Sequence, residues 1–168
     1  MKYIKLFIIS FVVISLLITG ISLFFPSRVR ISKAIDINAS KEKLMVYLAD
    51  PVKWRSWFPG GDTLDHLYID GEIKGIRLSN SSPQGIMITG KTDSTVTASN
   101  VGPGIRELVM GWNVFPGPAG QNTATVQWYM DFHLRWYPWE KFSSLLFEKR
   151  YGPSMEQGLT KLKSVVEK

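Results

Sequence analysis

The alternation of apolar and polar residues is clearest between residues 122 and 134. The apolar residues that share one face of this stretch are Val126, Trp128, Met130, Phe132 and Leu134. A period of two residues is typical of a β-strand with one buried face. Less regular alternation upstream predicts six further strands, over residues 29–37, 64–69, 74–79, 84–89, 94–99 and 105–115. Asp70-Gly71 separates the second and third of these strands and indicates a tight hairpin.

Three stretches between and after the strands have helical spacing. Ser40 is a suitable N-cap for a helix over residues 41–49, which Asp50-Pro51 ends. A short helix follows, with Trp54 and Trp57 three residues apart on one face. A third helix is predicted over residues 139–149.

The last helix carries the most regular apolar stripe. Its members recur at spacings of four, three and four residues: Met155, Leu159, Leu162 and Val166. Gly152-Pro153 predicts a break before this helix, because proline suits a helix's first turn. Gly158 lies beside the stripe. Because a glycine within a helix costs about 1 kcal/mol relative to alanine, we expect it to permit a close approach or to leave space.

The N-terminus contains 20 uncharged residues, Leu6 to Phe25, followed by Pro26. This is about the length that a helix needs to cross the hydrocarbon core of a bilayer. A cleaved signal peptide is the alternative, but its apolar core is usually shorter, about 7–15 residues, and ends in a small-residue site. We therefore predict an uncleaved anchor over residues 1–26 and one domain over residues 27–168. Basic residues flank both ends, so the side of the membrane stays undecided, although the short basic N-terminus favours an exported domain.

Composition removes several classes of chemistry. The chain has no cysteine, which excludes disulfides and thiolate nucleophiles, and its net charge of +6 is dispersed. We therefore expect no nucleic-acid partner. His66 and His133 lack carboxylate neighbours at ligand spacing, so we expect no metal and no other cofactor. His133 falls on the polar face of its strand and is predicted to be exposed. No residue is predicted to be catalytic.

Several phrases resemble the SRPBCC or START-like superfamily, in particular its polyketide cyclase/dehydrase and lipid-transport branch. They are IDINASKEKLMVYLADPVKWRSWFP at 35–59, TVQWYM at 125–130 and YGPSMEQGLTKLKSVV at 151–166. The resemblance implies an α+β helix-grip fold: about seven antiparallel strands curved around a long C-terminal helix, with an apolar cavity between them. An N-terminal membrane segment is similar to that of many bacterial members. None of these phrases is a catalytic signature.

The apolar residues of the inner face are the candidates for a ligand pocket, although a plain hydrophobic core would use the same residues. These candidates are Trp54, Trp57, Leu108, Met110, Trp112, Val126, Trp128, Met130, Phe132, Met155 and Leu159. Trp54 and Trp57 could gate the pocket or simply fix the short helix to the sheet.

Three functions follow as hypotheses. The first is a membrane-tethered domain that binds or carries a hydrophobic small molecule or lipid. The second is a cyclase/dehydrase-like enzyme, which needs a polar pair inside the cavity. The third is a protein-interaction module with a closed core and an exposed apolar patch. The ligand's identity and the oligomeric state are not determined by the sequence.

Overall fold

Seven antiparallel strands form one sheet in the computed structural model, which describes residues 2–79, 81, 83–103, 107–118 and 121–168. The strands are β1 Arg28–Ile37, β2 His66–Ile69, β3 Glu72–Arg77, β4 Gly85–Lys91, β5 Thr95–Val101, β6 Leu108–Pro116 and β7 Ala124–His133. Their order in the sheet is β1-β7-β6-β5-β4-β3-β2. β1 pairs with β7 along its whole length, from Arg28 opposite His133 to Ile37 opposite Ala124. The predicted number of strands and their antiparallel pairing are confirmed.

Helices account for most of the remaining described chain. They are α1 Lys2–Ser22, α2 Lys41–Leu48, α3 Trp54–Trp57, α4 Pro138–Ser143 and α5 Phe147–Val166, with a single 3-10 turn, Ser144–Leu146, between the last two. α5 packs against β1, β7 and α3 on the inner face of the sheet. The result is the helix-grip fold, in which the sheet curves around the last helix.

The hairpin between β2 and β3 lies where Asp70-Gly71 predicts it. Both residues have positive φ, 54° and 80°, and Ile69 pairs with Glu72 across the turn. Two successive positive φ values match the twist of the flanking strands in a two-residue turn. The predicted N-cap is also confirmed, because the Ser40 hydroxyl accepts a hydrogen bond from the Lys43 backbone N–H.

The predicted break at Gly152-Pro153 is wrong, because α5 begins six residues before Pro153 and continues through it. The interruption lies instead in the 3-10 turn, so the predicted helix over 139–149 is divided there. Proline removes one backbone hydrogen bond from a helix interior. Packing of the first turns of α5 compensates for that loss. The ring centroids of Phe147 and Tyr151 lie 4.5 and 5.0 Å from that of Phe132.

The end of α1 also differs from the prediction, since the helix ends at Ser22 and not at Pro26. The N–H groups of Phe24 and Phe25 donate to carbonyls three residues back, which tightens the chain into turns. A proline also disfavours helical backbone in the residue before it, so Phe25 leaves the helix. The uncharged stretch is therefore longer than its helical part.

Gly158 gives the sheet and α5 their close approach. A Cβ added at this position would lie 2.8 Å from Trp128 Cζ3 and 3.0 Å from Pro59 Cδ. The glycine therefore leaves space for two rings, one from β7 and one that follows α3. Gly152 differs, because a Cβ there would meet only the flexible ends of Glu148 and Lys33, at 3.3 Å.

This difference predicts opposite effects of one substitution at two positions of α5. We expect Gly158→Ala to destabilise the protein by about 1–3 kcal/mol, because overpacking outweighs the gain in helix propensity. Gly152→Ala, the matched control, should be neutral or should stabilise the protein by up to about 1 kcal/mol. Chemical denaturation of the full chain in detergent measures both. Equal free energies of unfolding for the two variants would contradict the proposed role of Gly158.

Candidate functional site

Aromatic rings fill the space between α3, α5 and the middle of the sheet. The cluster consists of Trp54, Trp57, Phe58, Trp112 and Trp128, none of them more than 7% exposed. Trp112 lies 5.2 Å from Trp54 and 5.5 Å from Trp128 between ring centroids. Tilted and edge-to-face pairs at this separation are favourable beyond the area they bury. Trp54 and Trp57 therefore fix α3 to the sheet, and this part of the interior is packed with side chains.

The indole N–H groups of the cluster differ in their partners. Trp54 Nε1 donates to the Leu48 carbonyl at 2.8 Å, and Trp57 Nε1 donates to the Tyr47 carbonyl at 3.3 Å, so both stabilise the end of α2. Within the described chain, no acceptor lies in hydrogen-bonding range of the buried Nε1 atoms of Trp112 and Trp128. These two donors are buried within the aromatic cluster and, with His66 Nδ1, are the buried polar side-chain atoms for which the described chain offers no hydrogen-bond partner.

The eleven predicted pocket residues divide into two groups in the structure. Nine belong to the closely packed core: Trp54, Trp57, Met110, Trp112, Val126, Trp128, Met130, Met155 and Leu159. Leu108 and Phe132 are half-buried at its edge, paired across β6 and β7, and both line an open cleft. That any of the eleven residues contacts a ligand remains a prediction. The cleft is the site that Leu108 and Phe132 indicate.

The cleft lies where β6 begins and β7 ends, between these strands and the first turns of α5. Its volume is about 330 Å³. The apolar walls come from Leu108, Phe132, Leu134, Phe147 and Tyr151. Three of these side chains contact one another through their rings: Phe132, Phe147 and Tyr151. Together they form a continuous aromatic wall.

Polar side chains also line the cleft. They belong to Asn100, Glu107, His133, Ser143 and Arg150. Asn100 Oδ1 accepts the Leu108 backbone N–H at 2.7 Å, which fixes the start of β6. His133 is exposed, as predicted. No cluster of three His, Asp or Glu side chains suited to a metal occurs in the part of the chain that the structure describes. The cleft therefore combines an aromatic wall with polar side chains, of which Arg150 is cationic and Glu107 is anionic.

Reasoning from the sequence missed Phe147, Arg150 and Tyr151 as members of the site. Phe147 and Tyr151 are four residues apart and continue the stripe of Met155 and Leu159 toward the N-terminus. That spacing is visible in the sequence. Because proline normally ends or kinks a helix, however, Pro153 leads to the prediction of separate helices on its two sides. The aromatic surface becomes apparent only when α5 is read as one helix.

Lys33 holds the first half of α5 against β1. This lysine interrupts the apolar face of β1, and its Nζ lies 2.6 Å from Glu148 Oε1 and 2.9 Å from Glu156 Oε1. Hydrogen bonds to Glu148 and then Glu156 raise the pKa of Lys33 above its usual value. Gly152 lies between the two glutamates, one helical turn from each. A polar tie thus positions the helix wall of the cleft.

Arg30 and Asp131 form a second tie, on the opposite face of β1 and β7. Arg30 Nε and Nη2 each lie 2.6 Å from one Asp131 carboxylate oxygen. The hydrogen bond from Arg30 lowers the pKa of Asp131 below its ordinary value. Asp131 precedes Phe132 in β7, so this pair supports the strand that carries the cleft wall.

The lowered pKa of Asp131 predicts an acid-sensitive contribution to stability. A carboxyl group with a folded-state pKa below its unfolded value of about 3.9 stabilises the fold above that pH, and the contribution is lost as pH falls through the folded pKa. For this exposed pair we expect Asp131→Asn to cost about 0.2–1 kcal/mol at pH 7. The difference from the parent should narrow as pH falls below about 5. Urea titrations at pH 7, 5 and 3 measure it.

Arg30→Gln removes the same pair from the other side and should reproduce both the cost and its narrowing in acid. A difference between parent and Asp131→Asn that stays constant from pH 7 to pH 3 would contradict this account of the pair.

A model of the family described as polyketide cyclase / dehydrase and lipid transport matches residues 28–167. None of the curated proteins compared with the chain is similar to it in sequence. Among solved structures, a START superfamily protein from Mycobacterium smegmatis is similar, with 17% identity and a TM-score of 0.56, covering 82% of this chain and 97% of that one. The protein XoxI from Bacillus cereus has 15% identity and a TM-score of 0.59, covering 82% and 94%. Truncated norcoclaurine synthase from Thalictrum flavum has 11% identity and a TM-score of 0.54, covering 83% and 93%. At these identities the structural likeness shows the fold alone.

Proposed function

Because the chain belongs to the polyketide cyclase/dehydrase and lipid transport family, we propose that it is a membrane-tethered domain that binds a hydrophobic small molecule or lipid. The ligand occupies the cleft between the strand ends and the first turns of α5. The observation that carries this proposal is the aromatic wall of Phe132, Phe147 and Tyr151, opened to the surface beside Arg150.

The physical basis of binding is the removal of apolar surface from water. Each Å² of apolar surface buried is worth about 25 cal/mol. The cleft volume of about 330 Å³ falls at the lower end of the range for small-molecule sites, about 300–1,000 Å³. The polar side chains of the cleft can orient one polar end of a ligand while its apolar body lies against the rings.

The tether is α1. The most apolar 18 of its 21 residues have a mean hydropathy of 2.5, and none of those 18 is buried. At 1.5 Å per residue, this helix is about 30 Å long, which matches the hydrocarbon thickness of a bilayer. A row of exposed apolar residues of this length is unfavourable in water and favourable in lipid. We therefore propose that α1 is an uncleaved anchor and that it keeps the cleft close to the membrane.

A second candidate function is a protein-interaction module. The filled aromatic core is what this alternative expects, and so are the exposed side chains of Trp136, Trp139, Leu145 and Leu146. It differs from the first proposal in leaving the cleft without a ligand. A measurement of ligand retention therefore separates the two.

Native mass spectrometry of the full chain, released from detergent micelles after loading with a bacterial lipid extract, tests the cleft. We expect a one-to-one apolar adduct on the parent protein. Ser143→Trp places an indole at the mouth of the cleft and should reduce adduct occupancy at least about tenfold, because it excludes the ligand from apolar surface.

Thr160→Trp is the matched control. Thr160 is exposed on α5, and its hydroxyl bonds a backbone carbonyl of its own helix, as the Ser143 hydroxyl does in α4. The control should retain the parent's adduct. An adduct unchanged in Ser143→Trp, or no adduct on the parent, would contradict binding in the cleft.

The fate of α1 is tested by the intact mass of the protein recovered from the membranes of an expressing bacterium. We expect the mass of a chain that still contains residues 2–22, because an anchor of this length is not removed. The mass of a chain that begins after residue 20 would identify α1 as a cleaved signal peptide and would contradict the proposed tether.

A further inference from the structure

Four large apolar side chains are exposed within eleven residues of the segment that joins β7 to α5. We call Trp136, Trp139, Leu145 and Leu146 the interfacial patch; each is 63–66% exposed. In the rest of the described part of residues 27–168, the exposed large apolar side chains are Val46, Val52, Tyr68, Leu78 and Phe115, and no four of them fall within eleven residues. Single exposed apolar residues are ordinary, whereas a contiguous group marks a surface that meets another apolar phase.

The aromatic rings of this segment pack against one another. Tyr137 lies 4.8 Å from Trp136 and 4.7 Å from Trp139, and its ring is stacked on that of Trp139 with an interplanar angle of 10°. Tryptophan and tyrosine are enriched at the boundary between membrane and water, where the apolar ring and the polar N–H or O–H find different surroundings. The composition of the patch is that of a membrane interface.

The position of α1 favours the bilayer over a protein as the occupant. α1 packs against α4, and the Phe25 and Phe142 rings are 5.3 Å apart. Lys141, only 3% exposed, donates from Nζ to the Phe25 carbonyl at 3.0 Å and to Ser27 Oγ at 2.7 Å. The end of the anchor is thus clamped to the helix that carries Trp139.

The connection between α1 and β1 is too short to lift the domain away from the membrane. It contains residues 23–27, which can extend at most about 18 Å, and the bonds from Lys141 hold part of it. When α1 spans the bilayer, its last turn lies near the headgroups, so α4 lies there as well. Arg135, Lys149 and Arg150 flank the patch, all exposed, and cations at this depth are attracted to anionic lipid.

We propose that the interfacial patch lies in the headgroup layer of the bilayer as a second membrane contact, so that the cleft opens toward that layer. This inference rests on the anchor in the proposed function. A groove of about 390 Å³ beside Leu146 shares Ser143, Phe147 and Arg150 with the cleft. The groove and the cleft therefore adjoin, and we expect an amphiphile to reach the aromatic wall from the patch along these three shared residues.

The absence of cysteine from the sequence makes single-site spin labelling of the full chain straightforward. Leu146→Cys reports on the patch, and Leu17→Cys reports on the C-terminal half of α1. Phe115→Cys is the control, because Phe115 is also a large exposed apolar residue but lies at the opposite end of the sheet from Leu108. Each variant is placed in vesicles of phosphatidylcholine and phosphatidylglycerol at a ratio of about three to one.

The measured quantity is the accessibility of each label to oxygen, which concentrates in lipid, and to a nickel chelate, which stays in water. We expect the nickel accessibility at position 146 to be at least about fivefold lower than at position 115, with higher oxygen accessibility. The double substitution Trp136→Ser and Trp139→Ser should return the label at 146 at least halfway to the value at 115.

Two results would overturn the inference while the anchor stands. The first is a label at position 146 as accessible to nickel as that at 115, with the label at 17 in lipid. The second is a label at 146 shielded from both reagents, which indicates contact with protein. A label at 17 that is accessible to nickel would remove the anchor itself, and with it both the tether and this inference.

Discussion

The close packing of α5 on β7 is the contact on which the rest of the structure depends. Trp128 reaches α5 at Gly158, where any larger side chain would meet its ring. Trp128 also contacts Trp57, Phe58 and Trp112. This glycine therefore allows the sheet and the helix to pack closely, and the aromatic cluster fills the space between them. Because interiors are packed as densely as organic crystals, little space is left at this point for a ligand.

The filled centre determines where a ligand can bind. Toward the start of β6 and the end of β7, the packed rows of the sheet give way to half-buried residues, of which Leu108 and Phe132 form one cross-strand pair. The first turns of α5 cover that row only partly, and the cleft is the result. Lys33, with Glu148 and Glu156, keeps those turns in place through charge-assisted hydrogen bonds, which do not fill the cleft with side chains.

The same end of the domain carries the connection to α1. Lys141 joins the residues that follow α1 to α4, and Leu146 of the interfacial patch lines the groove that shares three residues with the cleft. The proposed membrane contact and the proposed ligand entry therefore belong to one region, the segment between β7 and α5. The far end of the sheet, with its hairpin turns, is free of these constraints.

The sequence by itself determined the elements whose signals are local. Alternation located the seven strands, the stripe from Met155 to Val166 located the second half of α5, and Asp70-Gly71 located a hairpin. Hydrophobicity located α1, although not its last turn. The tertiary structure decided the start of α5, because contacts of Lys33 and Phe132, distant in sequence, stabilise a helix that Pro153 would locally interrupt. It also decided which apolar residues are core and which line the cleft, since both groups obey the same alternation and differ only in what packs above them.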